Sequence, residues 1–106
     1  MKLPRWVKVC HRKYKIVEWT PTQALAVNRF GECSSVEAII RVDLSHGLEK
    51  ARDTLLHEIL HAIYYEWGIQ DEDKEERVVS TFAKGLTQAM ADSQECRKWF
   101  QEAWSK

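Results

Sequence analysis

The chain has 106 residues, 44% of them hydrophobic and 30% charged, which is the composition of a folded domain and not of a disordered segment. That length supports one hydrophobic core, so 1–106 reads as a single domain. Lysine plus arginine and aspartate plus glutamate each number 16; no overall field draws nucleic acid or a membrane surface, and neither is expected as a partner.

Lys2, Arg5, Lys8, Arg12, Lys13 and Lys15 all precede the first acid, Glu18. Phosphate binding is one use of such a segment, but a solvated edge strand is the simpler one, since lysines at an edge also deter aggregation. No apolar run of signal-peptide length opens the chain, and no segment approaches the ~20 apolar residues of a membrane helix. Cys10, Cys33 and Cys96 are an odd count without a CxxC pair. That pattern excludes a zinc ribbon and fits a reducing compartment, so a cytoplasmic location is expected.

Residues 6–19, "WVKVCHRKYKIVEW", are rich in β-branched and aromatic side chains and predict one strand or two short ones. "TPTQ" at 20–23 reads as a turn, because Pro21 cannot donate to a ladder. Residues 29–35 predict a hairpin connection around Gly31, and "VEAIIRV" at 36–42 a second clear strand. The longest periodic segment follows. Ser45 is placed to cap a helix there, and Gly68 to end it in a left-handed conformation with apolar Ile69 behind. At about 100° per residue, Leu48, Leu55, Leu56, Ile59, Ile63 and Trp67 form the stripe expected to be buried. A second helix within 71–93 has Val79, Phe82, Ala83, Leu86, Ala89 and Met90 as its expected core face, and 96–104 forms a short aromatic helix or docked tail. Strands first and helices after predict an α+β fold, with a small N-terminal sheet of about three strands packed against the helices.

Chemistry concentrates in "HEILH". His57 and His61 stand four residues apart and project from one side of a helix, so both imidazoles can meet one tetrahedral ion. Glu58 is turned about 100° from His57. It cannot comfortably share the metal, but its carboxylate can reach a water there and act as base. A catalytic zinc takes three protein ligands, and no histidine follows His61. The third ligand is therefore expected from the start of the second helix, where Glu75 and Glu76 both reach inward and helical phase does not choose between them. Tyr64, Tyr65 and His46 are candidates to stabilise an oxyanion.

Residues 29–92, with "TLLHEILHAI" and "EERVV…FAKGL", resemble the small HExxH metallopeptidase-like proteins of phages and prophages, and more distantly the ImmA/IrrE and SprT-like minimal zincins. The resemblance implies a minimal zincin fold, Zn²⁺ as cofactor, and a bacterial host cytoplasm. His57, Glu58 and His61 match residue for residue, and the third ligand of that pattern maps onto Glu76. The expected activity is zinc-dependent peptidase, acting on a protein or peptide partner laid along the "VEAIIRV" strand by β-augmentation. The competing expectation is a zinc-stabilised phage protein-binding or regulatory module that does little or no proteolysis.

Overall fold

In the computed structural model, residues 3–27, 29–68, 72–92, 94, 95, 97, 98 and 101 are described. Strands β1 (Trp6–Val9) and β2 (Arg12–Trp19) form an antiparallel hairpin with Val7 opposite Tyr14 and Val9 opposite Arg12. Its two-residue turn puts Cys10 at φ 58, in the left-handed region that glycine usually occupies. The expected turn at 20–23 is instead the start of helix α1 (Pro21–Val27). Thr20 and Gln23 exchange side chain-to-backbone hydrogen bonds, each of 3.2 Å. That is a capping box with proline at the first helical position, where its missing N–H costs nothing.

β3 (Gly31–Ser34) and β4 (Ile39–Asp43) make a second antiparallel pair, so the hairpin connection falls after Gly31 and not around it. Val36–Ala38 belong to that connection and not to the strand. The Ser34 hydroxyl accepts from the Glu37 amide at 3.4 Å, and Ala38 takes φ 57, so local hydrogen bonding holds a turn where hydrophobicity predicted extended chain. β4 also pairs in parallel with β2. The sheet order is β1-β2-β4-β3, four strands where about three were expected, with β1 and β3 at the edges. The fold class is α+β as expected.

Helix α2 (Leu48–Glu66) crosses one face of this sheet against β3 and β4 and reaches β1. The core joins Val9, Tyr14, Ile16, Ile40 and Val42 of the sheet to Ala51 and Ala62 of the helix. The most buried residues of α2 are Ala51, Thr54, Glu58 and Ala62, not the large apolar stripe. Leu55, Ile59 and Ile63 flank the core half-buried, while Leu48 and Trp67 are exposed. Small side chains at the centre let the helix axis approach the strands closely, and the larger ones fill the sides. Ser45 is not the cap: Gly47 occupies that position without a side-chain bond. The Ser45 amide and hydroxyl both donate to Asp43, at 2.9 and 2.7 Å, and these bonds hold the Asp43 carboxyl below its ordinary value. Gly68 ends the helix at φ 72 as expected.

Helix α3 (Glu72–Asp92) packs chiefly on α2. Its contact is narrow: Val79 and Ala83 are buried, but Phe82 and Leu86 face outward, contrary to the expected core face. Ile69, the Ala89 side chain and most of 96–104 lie outside the described residues. No helix of the described residues is long and apolar enough to cross a membrane.

Candidate metal centre

The site forms where the middle of α2 meets the first turns of α3. The spacing of four in α2 brings the two imidazole Nε2 atoms to 3.2 Å from each other. The Glu76 carboxylate spans both, with one oxygen 2.8 Å from His57 Nε2 and the other 2.9 Å from His61 Nε2. His57, His61 and Glu76 each offer one ligand atom, all within 4.8 Å of one another. Two nitrogens and a carboxylate oxygen suit zinc, whose tetrahedral ligands at Zn–N ≈ 2.0–2.1 Å lie roughly 3.3 Å apart. The donor set and its spacing therefore fit such an ion.

Glu75, which helical phase could not separate from Glu76, takes a different position. Its carboxylate lies 2.7 Å from His61 Nδ1, on the opposite side of the ring from Nε2. A carboxylate there fixes the tautomer with the proton on Nδ1 and leaves the Nε2 lone pair to face the cluster. The consecutive glutamates thus divide the work: Glu76 reaches the cluster and Glu75 orients a histidine within it. Helical phase signals only the pair, the resemblance maps the ligand onto Glu76, and neither foretells the contact of Glu75 with His61.

Glu58 is 8% exposed and lies beside Gly31 of β3. Removal from water is the main reason its carboxyl is pushed up to about 7; the Glu76 and Glu32 charges add to the effect, and His61 and Arg29 oppose it. It opens onto a cleft of about 1090 Å³ whose walls include Phe30, Gly31, Glu32, Cys33, Thr54, His57, His61, Tyr65, Glu75, Glu76 and Lys84. Of the three expected oxyanion groups only Tyr65 lines this cleft. His46 is drawn away, 3.4 Å from Asp43 and edge-on to Phe30.

The expected docking strand is also corrected. β4 is bonded on both sides, by β2 and β3, and has no free edge to offer. The edge strand that lines the cleft is β3, a segment whose shortness hid it as a hairpin connection. Gly31 is what lets this strand and α2 meet: a Cβ there would lie 2.5 Å from Thr54 Cγ2 and 2.9 Å from the Arg41 carbonyl oxygen. Behind the site, Arg12 clamps the far end of α2 by donating to Glu66 at 2.9 Å and to the Ser35 carbonyl at 2.6 Å, and the Tyr14 hydroxyl donates to the same Glu66 oxygen at 2.5 Å.

Among protein families, curated proteins and solved structures alike, none matches this chain.

Proposed function

We propose that the chain is a zinc-dependent peptidase of minimal zincin type, with His57, His61 and Glu76 holding Zn²⁺ and Glu58 moving the protons of amide hydrolysis. One observation carries the reading: two imidazole nitrogens and a carboxylate converge on a point beside a buried carboxyl that opens on the same cleft. Zinc, when bound, supplies Lewis-acid polarisation and acidification of water. The rest falls to the chain's own groups. Glu75 holds the His61 ring with Nε2 forward. Glu58 takes a proton as the nucleophile forms and returns it to the leaving amine, a role suited to a carboxyl tuned close to neutral pH. The outer edge of β3 would offer backbone donors and acceptors to an extended substrate, and Tyr65, which lines the cleft, would donate to a developing oxyanion. An open cleft on a short chain suits a flexible segment of one partner protein. The resemblance to phage- and prophage-encoded proteins makes a bacterial host cytoplasm the setting of this proposal.

A second reading has its own observation. α3 is held mainly by α2, through a narrow apolar contact and the histidine–glutamate cluster, so an ion there would also serve as a tie that stabilises a binding module. Two measurements separate the readings. Protein purified without chelator is expected to carry about one zinc per chain, lost in His57→Ala; absence of zinc sinks both. Glu58→Gln is expected to keep zinc and fold while losing cleavage of a partner captured by that variant. Equal cleavage by wild type and Glu58→Gln would leave only the binding role.

A further inference from the structure

The basic N-terminal segment, which the metal centre does not use, becomes a surface once the strands pair. Trp6 is registered with Lys15 and Lys8 with Lys13, and cross-strand partners share a face. Side chains alternate along a strand, so these four stand together on one side of the sheet. Val7, Val9 and Tyr14 take the other side, toward α2. The face continues across β4 at Arg41, which pairs with Glu32 at 2.8 Å. Lys8, Lys13 and Lys15 are exposed and form no ion pair among the described residues. Trp6 is 51% exposed, with the Lys13 ammonium 4.3 Å from its ring centroid.

Two lysines directly opposite each other destabilise a hairpin, and half of a tryptophan left in water forgoes burial. The Lys13 contact with the ring offsets part of this, but Lys8 and Lys15 have no ion-pair partner among the described residues and half of the tryptophan stays in water. We propose that this face binds single-stranded nucleic acid, with Lys8, Lys13 and Lys15 on successive phosphates and a base stacked on Trp6. Charge complementarity selects a polyanion, and the aromatic selects one that carries bases. The zero net charge of the chain conceals the face by averaging it with the acidic start of α3. The inference is independent of the metal centre, on the opposite side of the sheet.

The test is fluorescence anisotropy of the full chain with a labelled oligothymidylate about 20 nucleotides long, between about 25 and 150 mM NaCl. Three phosphate contacts on a single strand predict a log–log salt slope of about −2. Each of Lys8→Gln, Lys13→Gln and Lys15→Gln is expected to reduce the slope by about 0.7, and the triple variant to abolish it. Trp6→Ala is expected to weaken binding by at least about fivefold with the slope kept, and Trp6→Phe to restore most of it. All are exposed positions, and circular dichroism of each variant checks that the fold is kept. No binding at 25 mM NaCl, or binding unchanged in the triple variant, overturns the proposal. Equal competition by polyglutamate, or capture by phosphatidylserine vesicles without capture by the oligonucleotide, also overturns it, in favour of an acidic protein or a membrane.

Discussion

Replacing Gly31 by alanine perturbs the sheet, the site helix and Glu58 at once. The added methyl would lie 2.5 Å from Thr54 Cγ2, 2.9 Å from the Arg41 carbonyl oxygen and 3.4 Å from Glu58 Cγ. The Arg41 oxygen belongs to β4, whose ladder with β3 pairs Gly31 with Val42, so that neighbour cannot yield without breaking the sheet. The ladder is strained there, and α2 must move as well. Carbon atoms at ordinary contact are about 3.5–4.0 Å apart, so the turn bearing Thr54, His57 and Glu58 has to retreat by roughly 1 Å. Overpacking of this kind costs about 1–3 kcal/mol, or a fall in Tm of roughly 4–20 °C for a domain of this size. Urea unfolding followed by tryptophan fluorescence measures it. Thr54→Ser removes the methyl that clashes first, so the double variant should recover at least about 0.5 kcal/mol beyond the sum of the singles. A loss below about 0.5 kcal/mol for Gly31→Ala, or no coupling to Thr54→Ser, would refute the claim that β3 and α2 are held at contact by the absent side chain. Under the peptidase reading, displacement of the base by about 1 Å also lowers the rate by up to ~100-fold while the chain remains folded.

If the proposed centre holds zinc, Glu75→Gln should lower zinc affinity about 10- to 100-fold without unfolding the chain, measured by competition with a chromophoric chelator; unchanged affinity would mean that the 2.7 Å contact to His61 Nδ1 does not orient the ring. Cys10→Gly should raise stability by about 0.5–1 kcal/mol, since relief of a left-handed residue at φ 58 exceeds the added chain entropy; a lower urea midpoint would refute this. Tyr14→Phe should destabilise the fold at neutral pH, and the gap to wild type should narrow as pH falls below about 4.5. The Glu66 carboxyl is held under its ordinary 4.5, chiefly by the Tyr14 hydroxyl, so its contribution is present above that range and lost beneath it. At the other end, burial pushes the Tyr14 phenol from 10.0 up to about 12. The unfolded chain ionises first, wild-type stability falls as pH climbs past 10, and Tyr14→Phe should lack that component in denaturation series on either side.

What the sequence revealed depended on whether a residue's role is set by its neighbours along the chain or by neighbours through space. The α2 spacing that joins His57 to His61 is local, and it was legible. So was the left-handed end of the helix at Gly68. The capping box Thr20–Gln23 is equally local, but Pro21 reads as a strand breaker as readily as a first helical residue, so the sequence there fits a turn as well as a helix. β3 was lost for another reason: four residues around a glycine show no periodicity, and only pairing with β4 makes them a strand. The division between Glu75 and Glu76 required the crossing of α3 over α2, which no helical phase supplies.

The misjudged buried stripe of α2 bears on the chemistry. Hydrophobicity put the centre at Leu55, Ile59 and Ile63, but a helix lying on a sheet buries its smallest side chains deepest, so Ala51, Thr54 and Ala62 take the centre. That places Glu58 within the core, against a strand that offers only a glycine there. A carboxyl so placed loses water and rises to about 7, while His57 and His61, one helical step further round, stay half-buried and turned toward α3. The 100° step of the helix therefore separates a desolvated carboxyl from a half-buried pair of imidazoles within a single turn, the arrangement that the proposed peptidase would use. Enlarging Ala51 or Ala62 would lift the helix, rehydrate Glu58 and lower its pKa without touching any polar group of the cluster. Under the peptidase reading, an Ala62→Val variant whose pH–rate profile kept an unshifted limb for Glu58 would show that something other than helix–sheet contact sets that carboxyl.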